Sequence, residues 1–76
     1  MRLTDEQIQS MQEDITADML YILTENRKMT VQEAMLLLYN SDTYTRLMDV
    51  GSGLYYQSPG YVMDCLDNEV TTGRCF

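Results

Sequence analysis

An apolar stripe at helical spacing near the start of the chain is the strongest constraint on the fold. Its steps of 3, 4, 4 and 3 residues follow one face of an α-helix. Thr4 precedes the stripe and Gln7 follows three residues later, which is the arrangement of a capping box. We predict a long first helix whose pattern fades at Glu25 and Asn26. The stripe consists of Ile8, Met11, Ile15, Met19 and Ile22, with Leu23 beside it.

The second predicted helix begins with the clearest local signal in the chain. Thr30 and Glu33 form another capping box, so we expect Thr30 to be the N-cap. Apolar residues then cover nearly all sides of the helix. A helix of this kind is either central in a core or covered by another chain. The predicted buried stripe is Val31, Ala34, Met35 and Leu38, and the apolar surplus is Leu36, Leu37 and Tyr39.

Two further helices are expected in the second half of the chain. Either Ser41 or Asp42 can cap a short helix over 43–48, and the sequence Ser58-Pro59 predicts the start of a last helix that ends near Val70. Between these helices, the segment 54–56 is expected to be strand-like. The predicted inward residues are Tyr44, Leu47 and Met48 in the short helix, and Val62, Cys65 and Leu66, with Tyr61 as a further candidate, in the last one.

Length and pattern together define the fold class. The chain has 76 residues, which is enough for one core. We predict an all-α fold, a compact bundle of three to four helices with a long acidic N-terminal helix. The expected single helical domain spans 1–70, and a flexible C-terminal tail spans 71–76. A chain of this size buries only about 60% of the surface of its unfolded form, so a partner or a second copy would add to its stability.

Composition excludes several kinds of chemistry. The chain has no His, so a Ser-His-Asp triad, a Cys-His pair and any zinc site with His ligands are impossible. The two cysteines, Cys65 and Cys75, do not form a C-x-x-C motif. The pair Gly51 and Gly53 lacks the third glycine of a dinucleotide-binding loop. We therefore predict that the protein is not an enzyme and holds neither a cofactor nor a metal.

Hydropathy and charge restrict the partners. The longest apolar runs, 19–23 and 34–39, are far shorter than a membrane span, and no apolar signal region follows the N-terminus. The formal net charge is −7, which repels nucleic-acid phosphates and anionic membranes. We expect a cytoplasmic protein that binds neither nucleic acid nor membrane directly. The expected partner is another protein, with a basic protein and a homo-oligomer as alternatives.

Most of the charge lies on the first helix, where residues 1–26 hold six acids and one base. Three of these acids, Glu13, Asp14 and Asp18, are candidates for an acidic binding face. One hypothesis is that this face imitates nucleic-acid phosphates and inhibits a basic host or defence protein, as phage-type inhibitors do. The alternative is that these acids form a solvated helix face.

Tyrosine and methionine are the candidates for an uncharged binding surface. The chain has six Tyr and seven Met, and both residue types occur often at protein interfaces. The alternative is that most of them fill a small core that has no Trp. Adjacent Tyr55 and Tyr56 cannot both point inward in an extended segment. The partner-binding candidates are Leu37, Tyr39, Tyr55, Tyr56 and Met63.

Part of the chain resembles a bacterial family. The resemblance covers about 15–70 and lies in Thr30-x-x-Glu33 with the apolar run to Leu38, Tyr44-x-x-Leu47, Leu54-Tyr55 and Tyr61-Val62-x-Asp64-x-Leu66. These features are similar to domain of unknown function 3791, whose members are compact helical domains of gut and soil bacteria. The family often has His where this chain has Tyr55. No activity is established for that family, but some members are encoded beside toxin-like genes. The resemblance implies an antitoxin-like or accessory role and assigns no site residue.

Overall fold

Within residues 3–73, four α-helices form the fold, and each begins after a capping residue. The computed structural model describes residues 3–73, which contain helices and turns and no strand. The prediction of an all-α bundle is confirmed. The helices are α1 (Asp5–Tyr21), α2 (Val31–Tyr39), α3 (Asp42–Met48) and α4 (Pro59–Thr72).

The end of α1 differs from a simple continuous helix. The predicted capping box is present, because the Thr4 hydroxyl accepts from the Gln7 amide at 3.1 Å and the Gln7 side chain accepts from the Thr4 amide at 2.8 Å. After Tyr21 the chain continues as a π-helical turn, Ile22–Asn26. The chain then reverses at Lys28, whose φ of 59° lies in the left-handed region. The long first element is thus an α-helix with a wider last turn.

The core lies between α1 and α4 and is closed by α2, α3 and the turn 54–56. The predicted apolar stripe of the first element is buried at three positions in α1 and at Leu23 in the π-helical turn, and Met11 and Ile22 pack at the edge of the core. The predicted inward residues Val62, Cys65 and Leu66 of α4 are also buried. The buried apolar residues outside α4 include Ile8, Ile15, Met19, Leu23, Ala34, Leu38, Leu47 and Leu54.

The predicted buried stripe of α2 is wrong at two positions. Ala34 and Leu38 are fully buried, but Val31 and Met35 are exposed. The helix has nine residues and lies at the side of the bundle against α1 and α3. Within residues 3–73, no further helix covers the outer side of α2. The apolar residues on that side therefore remain at the surface.

Four smaller predictions also need correction. The segment Leu54–Tyr56 is a 3₁₀ turn and not strand-like, and Met48 of α3 is exposed at the edge of a groove. Tyr61, the further candidate for the inner face of α4, is exposed. The last helix continues through Thr72, so 71–72 of the predicted tail is helical. Gly73 ends α4 with a φ of 79°, and the predicted tail residues 74–76 lie outside the described residues.

A carboxylate from α4 positions α3. Glu69 accepts hydrogen bonds from the backbone amides of Asp42 and Thr43 and from the Thr43 hydroxyl, each at 2.8 Å. Partial burial acts to raise the pKa of Glu69, but the hydrogen bonds from Asp42 and Thr43 outweigh it, so the pKa lies below its ordinary value. Ser41, one of the two predicted caps, accepts from the Tyr44 amide at 3.0 Å. These contacts hold the start of α3 against α4.

Candidate protein-binding surface

The outer side of α2 presents apolar side chains to solvent. Val31, Met35 and Tyr39 follow one row of the helix at four-residue spacing, and Gln32 and Leu36 form the neighbouring row. We call these five residues the α2 face. Leu36 is 66% exposed, so most of a leucine side chain is in contact with water. A shallow hollow of about 420 Å³ lies on this face and reaches Asn40 at its end.

A second hollow lies next to the α2 face, between α1 and α3. Its volume is about 380 Å³. Tyr39 borders both hollows, and its ring lies edge-on to that of Tyr44 with 4.9 Å between the ring centroids. We call this second hollow the α1–α3 groove; its lining is Gln9, Gln12, Glu13, Thr16, Ala17, Leu20, Tyr39, Tyr44 and Met48.

Sequence reasoning missed Gln12, a polar residue of the groove that is only 7% exposed. Its side-chain amide donates to the backbone carbonyl of Leu47 at 3.0 Å and so ties α1 to α3. The available signal was its position, because Gln12 lies on the same helical stripe as Ile8 and Ile15. A polar residue on an apolar stripe needs a hydrogen-bond partner when it is buried.

Two of the predicted partner-binding residues are in the core. Tyr55 and Met63 are buried, so neither is available to a partner. The 3₁₀ turn points Tyr55 inward and leaves its neighbour Tyr56 61% exposed. The helix α4 packs against both α1 and α3, which widens its buried side to include Met63 beside Val62.

The other partner-binding candidates have different surroundings. Leu37 is half-buried and packs against the core. Tyr39 is exposed on the α2 face and is the candidate that the structure places in a hollow. Tyr56 is exposed beside the Tyr55 ring, at 4.7 Å between centroids. The structure therefore brings Tyr39 together with Met35 and Leu36, and not with the other candidates.

The three acidic candidates are all exposed, but they divide between two sides of α1. Glu13 lines the groove, where its carboxylate accepts from the Gln9 side chain at 3.2 Å. Asp14 and Asp18 are four residues apart and share a side, and Asp14 is rotated by about 100° from Glu13. Only Glu13 therefore contributes to the hollow next to the α2 face.

Within residues 3–73, two further kinds of site are missing. No group of three or more Cys, Asp or Glu side chains has a geometry that could hold a metal ion. None of the helices in this range has the length and apolar character that a membrane crossing requires.

Comparison of the chain with family models, curated proteins and solved structures finds no match. The resemblance to domain of unknown function 3791 therefore stays a prediction from the motifs quoted above.

Proposed function

We propose that the protein is a small interaction module without catalytic activity, which binds another protein through the α2 face. The observation that carries this proposal is the exposure of Leu36 and Val31 on a helix that is apolar on nearly all sides. Fully burying one such side chain is favourable by about 1.5–3 kcal/mol before the costs of association are subtracted. Tyr39 adds an amphipathic ring of the kind that is enriched at protein interfaces.

The charge distribution supports an uncharged interface at this place. The segment 29–41, which contains α2, carries Glu33 as its one charged residue, in a chain of net charge −7. The cores of protein interfaces are poor in charged residues, and their rims are polar. The α2 face fits this description, since apolar side chains occupy its centre and Gln32 and Asn40 border its hollow.

A matched pair of valines allows a direct test. Val31 on the α2 face and Val70 on α4 are the same residue type, and both are 63% exposed. The immobilised wild-type protein and the variants Val31→Ser, Leu36→Ser and Val70→Ser would be used to capture proteins from native lysate at low and high salt. Mass spectrometry would then compare what each retains, and light scattering after size exclusion would measure self-association.

We expect a defined partner that wild type and Val70→Ser retain in high salt and that Val31→Ser and Leu36→Ser lose. Retention of the same proteins by all four forms would contradict the proposal. If light scattering shows a dimer of the wild type that only the Val31 and Leu36 variants dissociate, the partner is a second copy of this chain.

We propose that the protein acts in the cytoplasm. The first role to test is the antitoxin-like or accessory one that the family resemblance implies. A toxin-like protein encoded nearby would then be the partner to test. Its binding should depend on Leu36 and not on Val70. If neither substitution changes binding of the toxin-like protein, that protein does not bind through the α2 face.

The acidic mimic of nucleic acid remains an alternative proposal. It is supported by the exposure of Asp14 and Asp18 on one side of α1 and by the net charge of −7. In that case Asp14→Lys/Asp18→Lys would abolish capture of a basic protein, and high salt would weaken the capture steeply. Capture that is unchanged in the double variant would exclude this alternative.

A further inference from the structure

We propose that the α1–α3 groove receives the side chain of an arginine that the partner protein presents beside the α2 face. This inference rests on the proposed function, because it specifies one chemical feature of the partner. It is carried by three observations within the groove: an unpartnered acceptor at its floor, a carboxylate at its edge and aromatic walls.

The acceptor belongs to Gln12. Its amide nitrogen donates to the Leu47 carbonyl, which can only accept, so this bond determines which end of the amide faces α3. The other end, Oε1, receives no hydrogen bond from the described residues. No side-chain oxygen or nitrogen in that part of the chain is both fully buried and without a partner. Oε1 must therefore reach solvent, and the groove is the solvent-filled space that Gln12 lines.

Charge in the groove has one sign. Glu13 is the one carboxylate among the lining residues, and the lining contains no Lys or Arg. Gln9 donates a neutral hydrogen bond to one carboxylate oxygen of Glu13. The second oxygen has no donor among the described residues. A cationic donor would thus find a carboxylate at the edge and an amide oxygen at the floor.

The walls favour arginine over lysine. Tyr39 and Tyr44 supply aromatic rings, while Leu20 and Met48 supply apolar surface for the methylene stem. A guanidinium is planar, offers several donors in one plane and stacks on aromatic rings, whereas an ammonium is a compact and strongly hydrated charge. Arginine therefore fits the groove better than lysine, because its guanidinium can donate to both Gln12 and Glu13 while it lies against the tyrosine rings. Tyr39 also borders the α2 face, so one partner segment can occupy both hollows.

The test uses N-acetyl-arginine N-methylamide as the probe, followed by NMR titration of the ¹⁵N-labelled full chain. The lysine form of the same probe keeps the positive charge but lacks the planar guanidinium. The citrulline form keeps the planar shape but lacks the charge. Glu13→Gln is compared with Asp14→Asn, since both substitutions remove one charge from the exposed surface of α1 and only the first lies in the groove. Free L-arginine is titrated as a separate arm.

We expect weak, saturable binding of the arginine probe, with shifts centred on the amides of residues 12, 16, 44 and 48. Glu13→Gln should weaken it about three- to fivefold, the scale of an exposed ion pair, and Asp14→Asn by much less. Equal effects of the two substitutions, equal binding of citrulline or lysine, or shifts elsewhere would overturn the proposal. Clear preference for free L-arginine would assign the groove to a small molecule instead of a partner protein.

Failure of this inference is distinguishable from failure of the proposed function. If Leu36→Ser abolishes capture of a partner that Glu13→Gln retains unchanged, the α2 face is an interface and the arginine site is excluded. If the arginine probe binds the groove and no variant of the α2 face changes capture, the groove is an arginine site and the proposal of an interface at the α2 face is wrong.

Discussion

The exposed sides of α1 and α2 differ in a way that their buried sides do not. Both helices pack an apolar stripe against the same core. The outer side of α1 carries carboxylates such as Asp14 and Asp18, which water solvates, whereas that of α2 carries Val31 and Leu36. A helix therefore needs only one apolar stripe to join this bundle. The bundle does not need the apolar residues of α2 beyond that stripe, and burial against the proposed protein partner would account for them.

The largest expected effect separates the two sides of α2 itself. Leu38 is fully buried and Leu36 is largely exposed, on the same helix. Leu38→Ala should lower the free energy of unfolding by about 2–5 kcal/mol, because it leaves a cavity. Leu36→Ala should change it by less than about 0.5 kcal/mol. Urea denaturation followed by circular dichroism measures both, and a similar loss in the two variants would mean that α2 is not seated as described.

The next largest loss of stability is expected for a carboxylate that accepts hydrogen bonds, compared with one that accepts none among the described residues. Glu69 accepts three hydrogen bonds at the start of α3, while Asp18 has no such bonds within residues 3–73. Glu69→Ala should cost about 1–3 kcal/mol of stability at neutral pH. Asp18→Ala, measured by the same denaturation, should be close to neutral. Equal costs would show that the Glu69 contacts contribute no stability.

The pH dependence of the Glu69 contribution follows from the direction of its pKa. The pKa is lowered in the folded state, because the hydrogen bonds from Asp42 and Thr43 outweigh the opposing effect of burial. The stabilisation is fully present above the unfolded-state pKa and is lost as the pH falls through the lower folded value. The difference in stability between wild type and Glu69→Gln should therefore shrink as the pH is lowered through this window. A difference that is constant from neutral to acidic pH would contradict the assignment.

A smaller and equal effect is expected at the starts of α1 and α2, where the two helices are alike. The hydroxyls of Thr4 and Thr30 each accept a backbone hydrogen bond at 3.1 Å. Thr4→Ala and Thr30→Ala should each cost about 1 kcal/mol. Thermal and urea denaturation of the two variants check this, with Thr4→Ser and Thr30→Ser as controls that keep the hydroxyl. A loss in only one alanine variant would show that α1 and α2 do not depend equally on their caps.

The smallest effect concerns the ion pair that joins the turn after α1 to α4. Arg27 donates to both carboxylate oxygens of Asp67, at 3.0 and 2.9 Å, but the two side chains are 48% and 42% exposed. A double-mutant cycle with Arg27→Met and Asp67→Asn should give a coupling of about 0.2–1 kcal/mol that decreases with salt. A coupling that salt leaves unchanged would mean that the pair is screened from solvent, unlike the acids on the outer side of α1.

Local signals were sufficient for most of the helix boundaries. The capping boxes at Thr4 and Thr30 and the Ser58-Pro59 start all stand where the pattern predicts them. Each signal depends on hydrogen bonds or backbone angles within a few residues. Such interactions are nearly independent of the rest of the fold, so they can be identified in the chain alone.

The candidate site was predicted only in part. The excess apolar surface of α2 and the residue Tyr39 were identified from the pattern, but Tyr55 and Met63 were placed at the surface and are in the core. Their burial depends on how the turn 54–56 and α4 contact other helices. The groove was not foreseen, because its lining combines residues of α1 with residues of α2 and α3 that are distant from α1 in sequence.

Apolar period and caps thus determined the all-α class, the order of the helices and most of their starts, because these properties arise from neighbours along the chain. Tertiary packing decided which side of α2 is buried. It also decided that Glu69 accepts hydrogen bonds at the start of α3 and that Gln12 donates to Leu47. The reason is geometric. In a helix that is apolar on most sides, several rotations bury a similar apolar area, and only contacts with α1 and α3 select one of them.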